Sequence, residues 1–143
     1  MIAVDTNILV YARRKELPRH GAALQALRAL ATGAGAWALP IFCASEFVRV
    51  VTHPRLFSPP TTPEAALAAI ETLLASPSAR LLSPGPRYWT LFRDLVRASA
   101  VTGNLVLDAQ IAAVCLEHGA ATILTEDRDF ARFAGITIQP LAP

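Results

Sequence analysis

Lysine is almost missing from this 143-residue chain: Lys15 is the only one among 13 basic residues, and the other twelve are arginine. A phosphoryl-accepting receiver domain also packs acids at strand ends in a chain of this size, but it needs a lysine near the end of a late strand, and none is there. Cysteine is nearly as scarce. Cys43 and Cys115 each fall inside an apolar helical pattern without CxxC spacing, which argues against a disulfide framework or a zinc site and leaves two buried thiols. Long apolar runs are absent too. Arg, Glu, His or Gly interrupts every stretch short of the ~20 residues that cross a bilayer. The basic residues 13 to 15 follow the first apolar run instead of preceding it, so no signal peptide is expected. The expectation is a cytoplasmic protein with no membrane contact.

What is present points to one α/β domain over residues 1–143 with a substantial core. Hydrophobic residues make up 53% of the chain, enough that some apolar surface is expected to face a partner. Short apolar runs alternate with helical periodicities. Strands are expected at Ile2–Val4, Trp37–Leu39, Ala79–Leu82, Thr122–Leu124 and Ile136–Gln139. Helices are expected from about Ile8 to Arg14, His20 to Ala31, Ile41 to Val51, Pro63 to Leu74, Arg87 to Ser99 and Leu105 to His118, with a short one through Phe133. Thr62-Pro63-Glu64 is a strong helix start, with a hydroxyl cap, Pro at the first position and an acid in the first turn. Strands that alternate with helices imply a parallel sheet covered on both faces.

Within that frame, four acids stand in unusual places. Asp5 interrupts an apolar run at the end of the first strand, where open α/β sheets keep their ligands. Glu46 lies beside the apolar face marked by Cys43, Phe47 and Val50, and Asp108 sits in the first turn of its helix. Asp127 follows the fourth strand, and Asp129 is a further candidate beside it. Any two such carboxylates at ~5 Å would repel by roughly 3 kcal/mol at an effective dielectric of 20. Several acids with no nearby lysine describe a site for a hard divalent cation, Mg²⁺ or Mn²⁺, held through oxygen. Setting the four acids aside leaves 13 basic against 11 − 4 = 7 acidic residues, so the surface around a cation-filled site could attract phosphate. Thr6, Asn7 and Thr125 supply hydroxyl and amide groups to orient ligands or a water.

These residues carry a resemblance. Val4-Asp5-Thr6-Asn7, Glu46 after Ser45, the stretch from Asn104 to Asp108-Ala109, and Thr125 to Phe130 with its Asp-Arg-Asp centre together resemble a PIN-domain ribonuclease, and spacing and size resemble the VapC toxins of bacterial toxin-antitoxin pairs. The resemblance covers nearly the whole chain. It implies a three-layer α/β/α sandwich with a central parallel sheet that cuts single-stranded or loop RNA, tRNA being one candidate class, with Mg²⁺ or Mn²⁺. The implied products carry a 5′-phosphate and a 3′-hydroxyl. It also implies a homodimer and a VapB-type antitoxin that covers the acidic site. The metal-binding and catalytic acids would be Asp5, Glu46, Asp108 and Asp127, with Asp129 as the other candidate from the Asp-Arg-Asp motif and Asn104 in support.

Each residue also has a plainer reading. Asp5 could cap the first helix, Asp108 could complement a helix dipole, and Asp129 could cap the helix that holds Phe130 and Phe133. Arg13, Arg14 and Lys15 are RNA-contact candidates, though such a run is more often a solvated helix end, and Arg128 is similar. Trp37 fits core or dimer packing. As a whole, the alternative to an enzyme is a PIN-like module that binds RNA or a partner without cutting; a plain dimerisation module would not need four acids so placed.

Overall fold

The computed structural model describes residues 1–143. Five parallel strands, β1 (Ile2–Val4), β2 (Trp37–Pro40), β3 (Ala79–Leu82), β4 (Thr122–Leu124) and β5 (Thr137–Gln139), form one sheet in the order β3-β2-β1-β4-β5. Six helices cover it: α1 (Thr6–Arg13), α2 (His20–Thr32), α3 (Ile41–Val51), α4 (Pro63–Leu74), α5 (Tyr88–Ser99) and α6 (Leu105–Glu117). A single 3₁₀ turn, Arg128–Arg132, separates β4 from β5. The expected elements are all present, and their bounds move by no more than two residues.

The three central strands, β2, β1 and β4, are short and apolar because both faces are covered, while the edge strands β3 and β5 are largely exposed. Ala3, Val4, Trp37, Ala38, Leu39 and Ile123 are wholly buried, so Trp37 belongs to the core. Helix α6 is buried at Ala109 and from Ile111 through Cys115, apolar on nearly every side as an enclosed helix must be. Helix α5 is the opposite case, with only Leu95 fully buried. Thr62 caps α4 by accepting the Ala65 N–H at 3.2 Å, with Pro63 following it, as the sequence predicts.

Topology places the site. The chain adds β2 and β3 on one side of β1, then crosses over to add β4 and β5 on the other. The reversal falls between β1 and β4, and the crevice outside the carboxyl ends of those two strands is where this class of sheet binds ligands. The two strand ends are stitched together by the Asp5 N–H, which donates to the Leu124 carbonyl at 3.1 Å.

Candidate active site

Asp5 leaves β1 at the centre of the sheet and serves as the N-cap of α1. It is only 6% exposed. Its Oδ1 accepts the Thr6 N–H at 2.7 Å, and its Oδ2 accepts the Thr125 hydroxyl, also at 2.7 Å. The Cys43 thiol donates to Oδ1 from 3.8 Å. Burial, with help from Glu46 and Asp127, pushes the Asp5 carboxyl up to about 6 against the two stronger hydrogen bonds, which pull it down. The plainer reading and the functional one thus coincide, since a capping carboxylate is also held at the mouth of the crevice.

Thr125 is the hub beneath it. Wholly buried at the end of β4, its hydroxyl gives its proton to Asp5 and accepts from the Asn7 amide at 3.3 Å and from the Asp127 N–H at 2.9 Å. Asp127 turns back in its own right, accepting the Asp129 N–H at 2.8 Å and capping the 3₁₀ turn. This corrects the expectation for Asp129. The cap is Asp127, whose carboxylate accepts the N–H two residues on, and the Asp129 carboxylate pairs with Arg132 at 3.1 Å instead.

The remaining acids come from helices. Glu46 projects from α3, which starts directly after β2, and pairs loosely with Arg49 at 3.8 Å. Asp108 lies half-buried in the first turn of α6. Burial and then the fields of Asp127, Asp5, Asp129 and Glu46 push its carboxyl up to about 7. A helix N-terminus acts in the opposite direction, favouring the charged form. Carboxylate oxygens of Asp108, Asp127 and Asp129 lie within 4.8 Å of one another.

Two adjoining clefts open here. One, of about 560 Å³, is lined by Glu46, Asn104, Asp108, Asp127 and Asp129, with Arg49 on its wall. The other, of about 250 Å³, adds Asp5, Thr6 and Asn7 and shares Glu46, Asp108 and Asp127. All five acids therefore border one opening. The buried Thr6 Oγ1 and Asn7 Oδ1 have no hydrogen-bond partner. A donor set of carboxylate, amide and hydroxyl oxygens, with one basic residue on its walls, fits a hard divalent cation.

The other candidates lie elsewhere. Arg13, Arg14 and Lys15 sit at the opposite end of α1 from Asp5, and Arg128 is exposed at the start of the 3₁₀ turn. Sequence reasoning missed two contributors. Cys43 was read only as a buried thiol, and no local signal links it to Asp5. Arg49 stands three residues after Glu46, a helical ion-pair spacing that could have singled it out.

The profile of the PIN domain matches residues 2–136. The chain belongs to the PIN-domain family. Among curated relatives of this PIN domain, the VapC ribonuclease Mb2897 of Mycobacterium bovis is 44% identical over 133 residues, covering 93% of this chain and 90% of the relative. Ribonuclease VapC48 of Mycobacterium tuberculosis is 36% identical over 135 residues, covering 94% and 93%. Among solved structures, VapBC2 from Rickettsia felis bound to a promoter DNA fragment superposes with a TM-score of 0.71 at 20% identity, covering 99% of this chain and 100% of that one. VapC20 of Mycobacterium tuberculosis, a toxin that cleaves the sarcin-ricin loop, superposes with a TM-score of 0.66 at 21% identity, covering 95% and 98%. The PIN fold is thus fixed by structure, and its VapC type by the relatives.

Proposed function

We propose that this PIN domain, over residues 1–143, is a metal-dependent endoribonuclease and the toxin of a VapBC-type pair. The observation that carries the reading is the convergence of five acids on one opening, with the Asp5 and Asp108 carboxyls pushed up to about 6 and about 7. A protein does not hold such a cluster for stability, since each charge raises the cost of the others. The VapC ribonucleases among its relatives supply the reaction class.

Asp5, Glu46, Asp108 and Asp127 would hold Mg²⁺ or Mn²⁺, and Asp129, whose carboxylate lies within 4.8 Å of those of Asp108 and Asp127, is the further candidate. When bound, the ion polarises a phosphoryl oxygen and lowers the pKa of a water. The chain's own residues do the rest. Thr125 fixes the Asp5 carboxylate through its hydroxyl and, through the Asp127 N–H, the turn that carries the second acid. Asn7 braces Thr125 through its side-chain amide, which donates to the Thr125 hydroxyl at 3.3 Å. Asn104 lines the entrance. The substrate class is RNA, tRNA among the candidates, and the products carry a 5′-phosphate and a 3′-hydroxyl. A VapB-type antitoxin and homodimerisation complete the proposal; the structural neighbours that are VapBC complexes support the antitoxin. No helix is long and apolar enough to cross a membrane; a cytoplasmic location is part of the proposal.

The test is cleavage of a panel of structured RNAs by the purified protein with Mg²⁺ or Mn²⁺, beside Asp5→Asn. The expected result is metal-dependent cutting that the substitution abolishes. Binding without cutting by the parent would favour a non-catalytic PIN-like module, and equal cutting by both proteins would overturn the site assignment.

A further inference from the structure

We infer that the cleft at the far end of α1, walled by Arg13, Arg14 and Lys15, is a second RNA-backbone site that takes phosphates three to four nucleotides from the bond being cut. The inference rests on the ribonuclease reading above and extends it to where the strand goes once it leaves the acids.

The starting point is electrostatic. An opening bordered by five acids cannot itself attract a polyanion, so cations elsewhere must supply the affinity. Most arginines are committed or scattered. Arg19 pairs with Glu126, Arg49 with Glu46, Arg93 with Asp94 and Arg132 with Asp129. The end of α1 is different, because three consecutive basic residues line one cleft of about 530 Å³. Arg14 is its rigid wall. The guanidinium donates to Glu16 at 2.8 Å, to the Thr61 hydroxyl at 3.2 Å and to the Pro59 carbonyl at 2.9 Å, and stacks over the Phe57 ring at 4.4 Å. Its side chain is 14% exposed, so it shapes the cleft more than it solvates it. Glu16 is neutralised by that pairing at 2.7 Å. Arg13 and Lys15, both exposed, form no ion pair or hydrogen bond within the chain. Two free cations thus face a walled cleft whose one acid is already matched.

Geometry connects this cleft to the acids. The smaller acidic cleft runs along α1 past Asn7, Val10 and Tyr11 and along α3 past Glu46 and Val50. Arg14 follows seven residues after Asn7, on the same face of the helix. The loop beyond α3 meets it there through Phe57, Pro59 and Thr61. From Asp5 to Arg14 is nine residues, or about 13 Å at the helical rise of 1.5 Å. A stacked strand rises about 3.4 Å per nucleotide, which sets the three-to-four-nucleotide offset.

The experiment uses the full chain carrying Asp5→Asn, with Mg²⁺ present, so that bound RNA is not cut. Fluorescein-labelled oligouridylates of twelve and of three nucleotides are titrated and read by anisotropy over a range of salt. Adding Arg13→Gln and Lys15→Gln should weaken 12-mer binding roughly tenfold and lower its salt slope by about 1.4, the value for two phosphate contacts on a single strand. The 3-mer, too short to span from the acids to this cleft, should change less than twofold. Arg28→Gln, an exposed charge removed from α2, is the control and should leave the 12-mer slope in place. Equal losses for 12-mer and 3-mer, or unchanged 12-mer binding, would overturn the inference. Unchanged RNA binding with tighter capture of a polyglutamate peptide by the parent than by the double variant would overturn it in favour of an acidic protein partner. The two readings fail distinguishably. If the parent cuts RNA yet 12-mer binding ignores the double substitution, only this inference falls; if the cleft binds RNA and the parent cuts none, the ribonuclease reading falls and takes with it the stated distance from a cut bond.

Discussion

The Thr125 hydroxyl donates to Asp5 at 2.7 Å across 120 residues of chain. That one bond ties the end of β4 to the end of β1, and through the Asp127 N–H it also sets where the second acid stands. Thr125→Val keeps the β-branched shape in the wholly buried site and removes the hydroxyl. Asp5 then loses a donor to its charged form, and the Asp127 N–H loses its acceptor. The expected outcome is a 10- to 100-fold loss of Mn²⁺ affinity, the usual scale for groups that orient metal ligands, and a stability loss of about 1–3 kcal/mol. Calorimetric titration with Mn²⁺ and urea midpoints measure the two effects.

Asp108 makes the complementary case. It forms no hydrogen bond that would hold its charge, and burial, followed by four acids, raises its pKa. Asp108→Asn should therefore stabilise the metal-free protein at pH 8 while reducing RNA cleavage by 100-fold or more. Because the residue is half-exposed, solvent screening holds the stability gain to within about 1 kcal/mol. A variant that loses stability and activity together would mark Asp108 as structural.

The pH dependence has a definite sign. Asp5 and Asp108 titrate at about 6 and about 7 when folded, both from 3.8, so between those limits the native state holds more protons than the unfolded one. Metal-free stability must then fall as pH rises from about 4 to about 7, with Asp5 contributing a loss on the order of 3 kcal/mol. Cation binding needs the ionised carboxylates and so strengthens over the same window. Urea midpoints with and without Mg²⁺ should diverge as pH rises; parallel curves would sink the account.

Ala100 offers a test of the scaffold alone. It ends α5 at φ +51°, in the left-handed region, where a Cβ costs roughly 1–2 kcal/mol. Ala100→Gly relieves that strain but loosens the unfolded chain. A net gain of about 0.5–1 kcal/mol is expected, with cleavage unchanged.

The elements were legible because their signals are local. Buried parallel strands read as apolar runs, and Thr62-Pro63 marks a helix start by its own chemistry. The acids were legible because each is out of place in its own segment. What joins them was not. Strand order is decided by which apolar faces meet across the chain, so nothing near Thr125 says that β4 lies beside β1. The contact of Cys43 with Asp5 is equally non-local. Arg14 looked like one member of a solvated run, and only the loop carrying Phe57 and Thr61 turns it into a wall. That Asp127 and not Asp129 caps the 3₁₀ turn was hidden for another reason. Both are good caps, and a difference of two residues in where the turn starts decides between them.

That cap leads to the most discriminating substitution. Asp127 does two jobs: its Oδ1 accepts the Asp129 N–H at 2.8 Å as the cap of the 3₁₀ turn, and its carboxylate stands within 4.8 Å of those of Asp108 and Asp129. Serine is as good a cap as aspartate but brings no charge. Asp127→Ser should therefore keep the turn and the stability of the parent while losing Mn²⁺ affinity and cleavage. Asp127→Ala should lose both, with about 1 kcal/mol of stability going with the cap. Asp129→Asn breaks only the pair with Arg132, an exposed contact worth less than about 1 kcal/mol, so any large loss of Mn²⁺ affinity it causes identifies Asp129 as a ligand. If Asp127→Ser binds Mn²⁺ and cuts RNA like the parent, Asp127 is a cap and nothing more, and the metal is held by Asp5, Glu46, Asp108 and Asp129.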